Sequence, residues 1–263
     1  MKSVQKSARV AYAGAIHSAT PHPLGLQLAD GRVLSEDAVV WLPPFEVGSI
    51  IALGLNYADH VKELSKELTI SSSPGTKDEP LLFLKGPGAL IGHRGQTRRP
   101  AGVKFMHYEC ELAVVIGRPG KHIALQDALA HVAGYTVCND YAIRDYLENW
   151  YRPNLRVKNR DGATVLGPWL VDAAEVHDPQ NLALRTLVNG RVTQQGHTRS
   201  MVHRVDELIA YLSSFMTLST GDVILTGTPE GVVNVDEGDE VVTEIDGIGR
   251  LVNTLVGDGV FGR

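Results

Sequence analysis

Short β-branched apolar runs alternate along the chain with turns rich in Gly and Pro, and apolar positions seldom recur at helical spacing. Such a pattern predicts many strands, tight connections and few helices. The predicted strands are Val10–Ile16, Ser49–Gly54, Leu81–Lys85, Glu109–Ile116, Val132–Val137, Leu184–Val188, Asp222–Thr226, Glu240–Ile245 and Arg250–Leu255. Asn189-Gly190 and Asp246-Gly247, each between apolar runs, supply the positive φ angles of tight turns and predict two hairpins. Three- and four-residue apolar spacing predicts helices at Tyr57–Leu68, Asp140–Trp150 and Val205–Phe215. The expected fold class is therefore mainly β, of the α+β kind. Pro43-Pro44 interrupts the chain after a strand-rich start, which suggests a small N-terminal segment (1–45) and a larger body (46–263). Thr69–Glu79, rich in Ser, Gly and Pro, reads as a solvated connector, with a lid over a site as the alternative.

Composition narrows the function classes. The 263 residues, 43% hydrophobic and 21% charged, suffice for one large domain or two modest ones and argue against disorder. Glu46 interrupts the longest apolar stretch (38–58), so no membrane span is expected. A net charge of −5 and a pI near 6.0 give no basic surplus for nucleic acid, which leaves a small molecule as the expected ligand. The two cysteines, Cys110 and Cys138, form neither a disulfide framework nor a C-x-x-C pair, and a cytoplasmic location is expected. Lys2, Lys6 and Arg9 precede an apolar run at the lower length limit of an export signal, too weak to displace that expectation.

Several familiar motifs fail. Gly257-x-Gly259-x-x-Gly262 matches a dinucleotide fingerprint by letter, but no helix follows it to receive a pyrophosphate. There is no G-x-S-x-G, phosphate loop or H-E-x-x-H. The strongest local signal is Glu109-Cys110-Glu111 at the head of an apolar run. In a strand these two carboxylates project to one face, and like charges so placed call for a counter-charge. Asp140 closes a second apolar run and adds a third hard oxygen donor, a set suited to magnesium, manganese or calcium rather than zinc. By itself E-x-E is common on exposed strand faces. His60 and Glu63, three apart on a predicted helix, face the same way and can share a proton, although such a pair is more often a surface contact. Lys158 lies among Arg152, Arg156 and Arg160, a basic run that alone reads as solvated loop. Thr226–Gly231 is a turn-rich loop whose glycines admit close backbone approach to a carboxylate.

The order and wording of Gly54-Leu55-Asn56-Tyr57-Ala58-Asp59-His60, Leu84-Lys85-Gly86-Pro87, Tyr108-Glu109-Cys110-Glu111-Leu112, Gly134–Asp140, Arg144-Asp145 and Leu225–Val232 resemble the fumarylacetoacetate hydrolase family, from about Ser49 to Val256. Within it, Asn139–Arg156 is similar to the isomerase/decarboxylase branch of homoprotocatechuate degradation, in particular its C-terminal repeat or subunit. The resemblance implies rolled, mixed β-sheets with a few short helices, a homodimer or a pairing with a related subunit, and Mg2+, with Mn2+ as an alternative, held by Glu109, Glu111 and Asp140. It implies a 2-oxo dicarboxylate or tricarboxylate substrate, Lys158 facing a developing enolate, a His60–Glu63 proton-transfer dyad, and a pocket lined by Arg144, Tyr151 and Thr228. Leu147 stands where family members that hydrolyse carbon–carbon bonds carry glutamine, and leucine cannot donate to an oxyanion. The expected activity is accordingly decarboxylation and isomerisation. Acylpyruvate-type hydrolysis and a non-catalytic carboxylate-binding subunit are the alternatives.

Overall fold

Every residue of the strand Cys110–Ile116 is buried, and a run with no polar face to offer water must lie inside a sheet covered on both sides. In the computed structural model, which describes residues 5–59, 79–147 and 154–261, this strand pairs antiparallel with Val132–Asp140 on one flank and Val223–Leu225 on the other. Beyond Val223–Leu225 come Ile50–Gly54, in parallel, and then Leu81–Lys85. Beyond Val132–Asp140 come Thr164–Asp172, Lys6–Tyr12, Ala15–His22, Gly25–Leu28 and Val33–Leu34. With Val40–Leu42 and Leu90–Gly92 this makes a twelve-stranded mixed sheet. A five-stranded sheet runs in the order Arg191–His197, Ala183–Val188, Glu240–Ile245, Gly249–Gly257, Gln96–Arg99.

The pleat divides the large sheet into two chemically different faces. Leu112, Val114 and Ile116, with Ile51, Leu53, Tyr135 and Val137, pack against Leu184, Val241, Ile245, Leu251 and Leu255 of the smaller sheet. Leu208, Ile209 and Leu212 close one end of this core from the helix Val205–Phe215, which forms where its apolar spacing predicts. Glu207 accepts from the Arg204 N–H at 2.8 Å and caps the helix start. On the opposite face Ala113, Cys138, Leu166, Val223, Leu225, Ile50, Ala52 and Phe83 form a smaller apolar floor. Strands 6–42 carry their own cluster of Ala8, Val10, Ala19, Leu26, Leu28 and Trp41, and Trp41 meets the rings of His93 and Trp169 edge-on at 4.7 and 5.4 Å.

Local expectations need correction in four places. The helix expected over Asp140–Trp150 does not form across its described part: Asp140 ends a strand, Ala142–Ile143 is a second short strand, and Arg144–Tyr146 is a single 3-10 turn. The Arg144 N–H, which a helix begun at Asp140 would direct to the Asp140 carbonyl, donates to Phe105 instead, and the Tyr141 N–H is drawn to Ala163, a tertiary override of local spacing. Val10–Ile16 is likewise not one strand, since Ala13 and Gly14 adopt φ of 48° and 80° and turn the chain between Lys6–Tyr12 and Ala15–His22. The Asn189-Gly190 turn has both φ values positive, as expected, whereas at Asp246-Gly247 only Gly247 does. Thr164–Asp172 escapes the sequence pattern because Pro168 argues against a central strand; a register shift between Tyr135 and Val137 accommodates its missing N–H. Tyr57 joins an isolated bridge to Met201, and most of the helix expected over Tyr57–Leu68 lies outside the described residues, as does most of Thr69–Glu79. Among the described residues no helix is long and apolar enough to cross a membrane.

Candidate metal and catalytic centre

The register of the two central strands assembles the acidic cluster. Glu111 lies opposite Cys138, so Asp140, two residues further on, returns to the same face, next to Glu109. The Asp140 N–H donates to the Glu109 carbonyl at 2.9 Å, which ties the strand ends together. Glu109, Glu111 and Asp140 are 6%, 0% and 0% exposed, and each offers an oxygen within 4.8 Å of the others.

Burying three carboxylates is tolerable only if each is paired. Lys85 donates to Asp140 Oδ1. Lys158 Nζ donates to Asp140 Oδ2 at 2.9 Å and also to Glu109 Oε2. Arg144 Nη2 lies 2.5 Å from Glu109 Oε1, and its Nε reaches His107 Nδ1 at 3.4 Å. Glu111 is treated differently. Its Oε2 accepts the Gly227 N–H at 2.6 Å, while Oε1 is buried with no hydrogen-bond partner among the described residues. Burial first, and then the Asp140 and Glu109 carboxylates, push the Glu111 carboxyl well above its ordinary range. Burial alone would lower the Lys158 ammonium, but Asp140 and Glu109 outweigh it and the net shift is upward, so Lys158 stays charged. A buried carboxylate with one unpartnered oxygen, in a cluster of oxygen donors with no sulfur or imidazole among them, fits a hard divalent cation. Such a cation would supply the charge that Glu111 lacks.

Glu109, Glu111, Asp140, Lys158 and Arg144 thus converge. Thr228 follows Gly227 directly and sits on the same loop edge. His60, Glu63 and Tyr151 lie outside the described residues. Lys158 is not in a solvated loop, as its basic neighbours suggest in isolation, but is 4% exposed on the short helix Leu155–Lys158.

Lys85 and Asn159 belong to the centre and sequence reasoning did not single them out. A signal existed for Lys85: Leu81, Phe83 and Lys85 alternate toward one face of a strand, and a lysine continuing an apolar face demands a buried partner. Asn159 gave no such signal. Its Oδ1 accepts the Gly86 N–H at 2.5 Å and its Nδ2 donates to the Leu84 carbonyl at 3.2 Å, so one amide clasps the backbone on both sides of Lys85. Because Asn159 follows Lys158 in sequence, this clasp fixes the spacing of the two ammonium groups on Asp140.

Comparison with known proteins identifies the family. The bifunctional 4-hydroxyphenylacetate degradation isomerase/decarboxylase of Salmonella dublin is 51% identical over 238 residues, 88% of this chain and 53% of that protein. The chain therefore spans about half the length of the curated relatives it matches at this level. The crystal structure of a 5-carboxymethyl-2-hydroxymuconate delta-isomerase from Mycobacterium smegmatis superposes with a TM-score of 0.82 at 35% identity, covering 97% of this chain and 100% of that one. A fumarylpyruvate hydrolase from Pseudomonas aeruginosa, solved with Mn2+ and pyruvate, superposes with a TM-score of 0.73 at 32% identity over 81% of this chain and 91% of the other. The fumarylacetoacetate hydrolase C-terminal model matches residues 49–256, the stretch that contains all three carboxylates, both lysines and the Gly227 loop, and the chain belongs to that family.

Proposed function

We propose that the protein is a metal-dependent decarboxylase and isomerase of 2-oxo acids in aromatic catabolism, working on 5-oxopent-3-ene-1,2,5-tricarboxylate and 2-hydroxyhepta-2,4-diene-1,7-dioate. The carrying observation is that Lys158 touches two of three carboxylates that converge on one buried point. Charge supports the substrate class. Three carboxylates face three cations, Lys85, Lys158 and Arg144, so adding a divalent ion leaves a surplus of two positive charges. The dianionic heptadienedioate matches it, and the trianionic tricarboxylate exceeds it by one charge, which departs as CO2 is lost.

Mg2+, or Mn2+ as in the Pseudomonas aeruginosa relative, would be held by Glu109, Glu111 and Asp140 and would polarise the 2-oxo oxygen. The residues of the chain do the rest. Loss of CO2 sends an electron pair through the conjugated alkene toward the 2-oxo group. Lys158 stabilises the dienolate, because a fixed ammonium in a dry site interacts more strongly with the charge that develops than with the ground state. Arg144, Tyr151 and Thr228 orient the carboxylates. His60, tuned by Glu63, returns a proton to the dienolate and moves it between tautomers, a task suited to a group that gives and takes protons near neutrality. We read the protein as a cytoplasmic homodimer, with a related second subunit as the alternative.

The deciding experiment mixes purified protein and Mg2+ with the tricarboxylate while CO2 and ultraviolet absorbance are recorded. CO2 release with a rising and then decaying diene band is expected. Cleavage of an acylpyruvate to pyruvate and a carboxylate, with no CO2 from the tricarboxylate, would replace this reading with hydrolysis.

A further inference from the structure

We infer that Gln194 is a positioning residue that makes the Thr228 hydroxyl an obligatory hydrogen-bond donor toward the substrate. The inference rests on the placement of Thr228 in the substrate pocket proposed above.

Gln194, on the strand Arg191–His197, is 1% exposed, and its side-chain amide makes three hydrogen bonds. Its Nε2 lies 2.7 Å from the Pro229 carbonyl and 2.9 Å from Thr228 Oγ1. Its Oε1 accepts from Thr186 Oγ1 at 3.0 Å, and Thr186 is the residue directly opposite it on the neighbouring strand. The polarity of this chain is forced. A carbonyl can only accept, so the amide nitrogen must be the group facing Pro229. Both hydrogens of that nitrogen are then spent on Pro229 and Thr228, and Thr228 Oγ1 is an acceptor in the second bond. A hydroxyl that accepts from one side keeps its own hydrogen to donate on another. Among the described residues no acceptor takes that hydrogen, although Thr228 is only 3% exposed.

The loop position gives the hydroxyl a use. Gly227, one residue earlier, is anchored by its N–H to Glu111, so Thr228 is held at the edge of the acidic cluster from one side and by Gln194 from the other. Gly227 has a φ of 85°, and a Cβ built on it would come within 2.9 Å of the Asn56 side chain. A side chain at 227 would therefore push the loop off Asn56 and away from Glu111, which is why glycine stands there. A donor fixed beside a site with surplus positive charge selects for an anionic oxygen, the carboxylate or 2-oxo oxygen of the substrate, and against an amide nitrogen or hydroxyl hydrogen at that place. The effect belongs to binding of substrate and transition state alike, and so to KM more than to kcat.

The test compares Thr228→Val, Gln194→Met and the double variant with the unaltered protein, under saturating Mg2+, by steady-state turnover of the tricarboxylate. Circular dichroism melting of each variant reports folding. Thr228→Val and Gln194→Met should each raise KM by about tenfold with kcat within about threefold, the size of one lost hydrogen bond to a charged group. The double variant should be no worse than either single one, since both remove the same bond. An unchanged KM in Gln194→Met, with Thr228→Val impaired, would overturn the inference and leave the pocket assignment standing. Multiplying effects would overturn it as well. An unchanged KM in Thr228→Val would instead remove Thr228 from the pocket and the inference with it. If Gln194→Met does not fold, Gln194→Asn carries the test: it keeps an amide but is one methylene too short to reach Pro229 and Thr228 together, and the same rise in KM is expected, with an unchanged KM counting against.

Discussion

Lys158 meets Asp140 twice, donating to the carboxylate Oδ2 at 2.9 Å and lying 3.5 Å from the backbone carbonyl of the same residue. A long flexible side chain held at two points of one partner is positioned as well as paired, and its charge is available at a fixed place in the site. If that charge stabilises a dienolate, Lys158→Met should lower kcat for decarboxylation by about a hundredfold, the scale of losing one oxyanion donor, while KM and Mg2+ affinity change little. Stopped-flow turnover and calorimetric Mg2+ titration check the two halves. A raised KM at constant kcat would make Lys158 a substrate anchor instead.

Glu111 is the carboxylate whose need for a cation is greatest, because it has one bonded and one unpartnered oxygen in full burial. Glu111→Gln keeps shape and removes the charge. The variant should fold, yet its melting temperature should no longer rise with added Mg2+ or Mn2+, a rise that ligand linkage requires of the unaltered protein. A variant that still gains stability from the metal would contradict the ligand assignment.

The two proposed half-reactions should separate at His60. Decarboxylation needs mainly an electron sink, whereas tautomerisation needs a proton carrier as well. His60→Ala is expected to release CO2 while the hydroxy-diene accumulates, seen as an absorbance that persists after subtraction of an enzyme-free control. Equal loss of both steps would point to closure of the site or ordering of the substrate.

His93 gives a stability prediction with a definite sign. Burial, then the positive charges of Arg94 and Arg250, lower its pKa to about 3, and its Nδ1 accepts the Val252 N–H at 3.0 Å, which only the neutral ring can do. Below the ordinary histidine value of about 6.5 the unfolded chain binds a proton that the folded one refuses, so stability falls as pH drops toward 3, by about 1.4 kcal/mol per pH unit from this group. His93→Asn retains an acceptor for Val252 but cannot be protonated. Urea unfolding at pH 7.5 and 5.5 should show a shallower loss of stability in the variant than in the unaltered protein; equal losses would mean that His93 is not the group responsible.

How much of this was legible in the sequence depends on the range of the interactions involved. Glu109 and Glu111 could be placed on one face from spacing alone, since the pleat of a strand is a local property. The helix Val205–Phe215 was readable for the same reason. Asp140, expected as a third oxygen donor, does lie beside Glu109 and Glu111, but it was wrongly expected to open a helix, because hydrogen bonds from Tyr141 to Ala163 and from Arg144 to Phe105 are made with segments distant in sequence. Lys158, taken alone, looked like one member of a solvated basic run, and the family resemblance implied its role without implying its burial.

The sequence by itself determined a β-rich fold, a pair of carboxylates facing one way and the family to which the chain belongs, because strand pleat, turn chemistry and motif wording are written in consecutive residues. Only the tertiary structure decided which cations answer those carboxylates. Lys85 reaches Asp140 from 55 residues away, Gly227 reaches Glu111 across 116, and Gln194, in the five-stranded sheet, reaches Thr228 across 34. Such pairings follow from ladder register and loop closure, which fix where distant segments meet, and no local pattern encodes them.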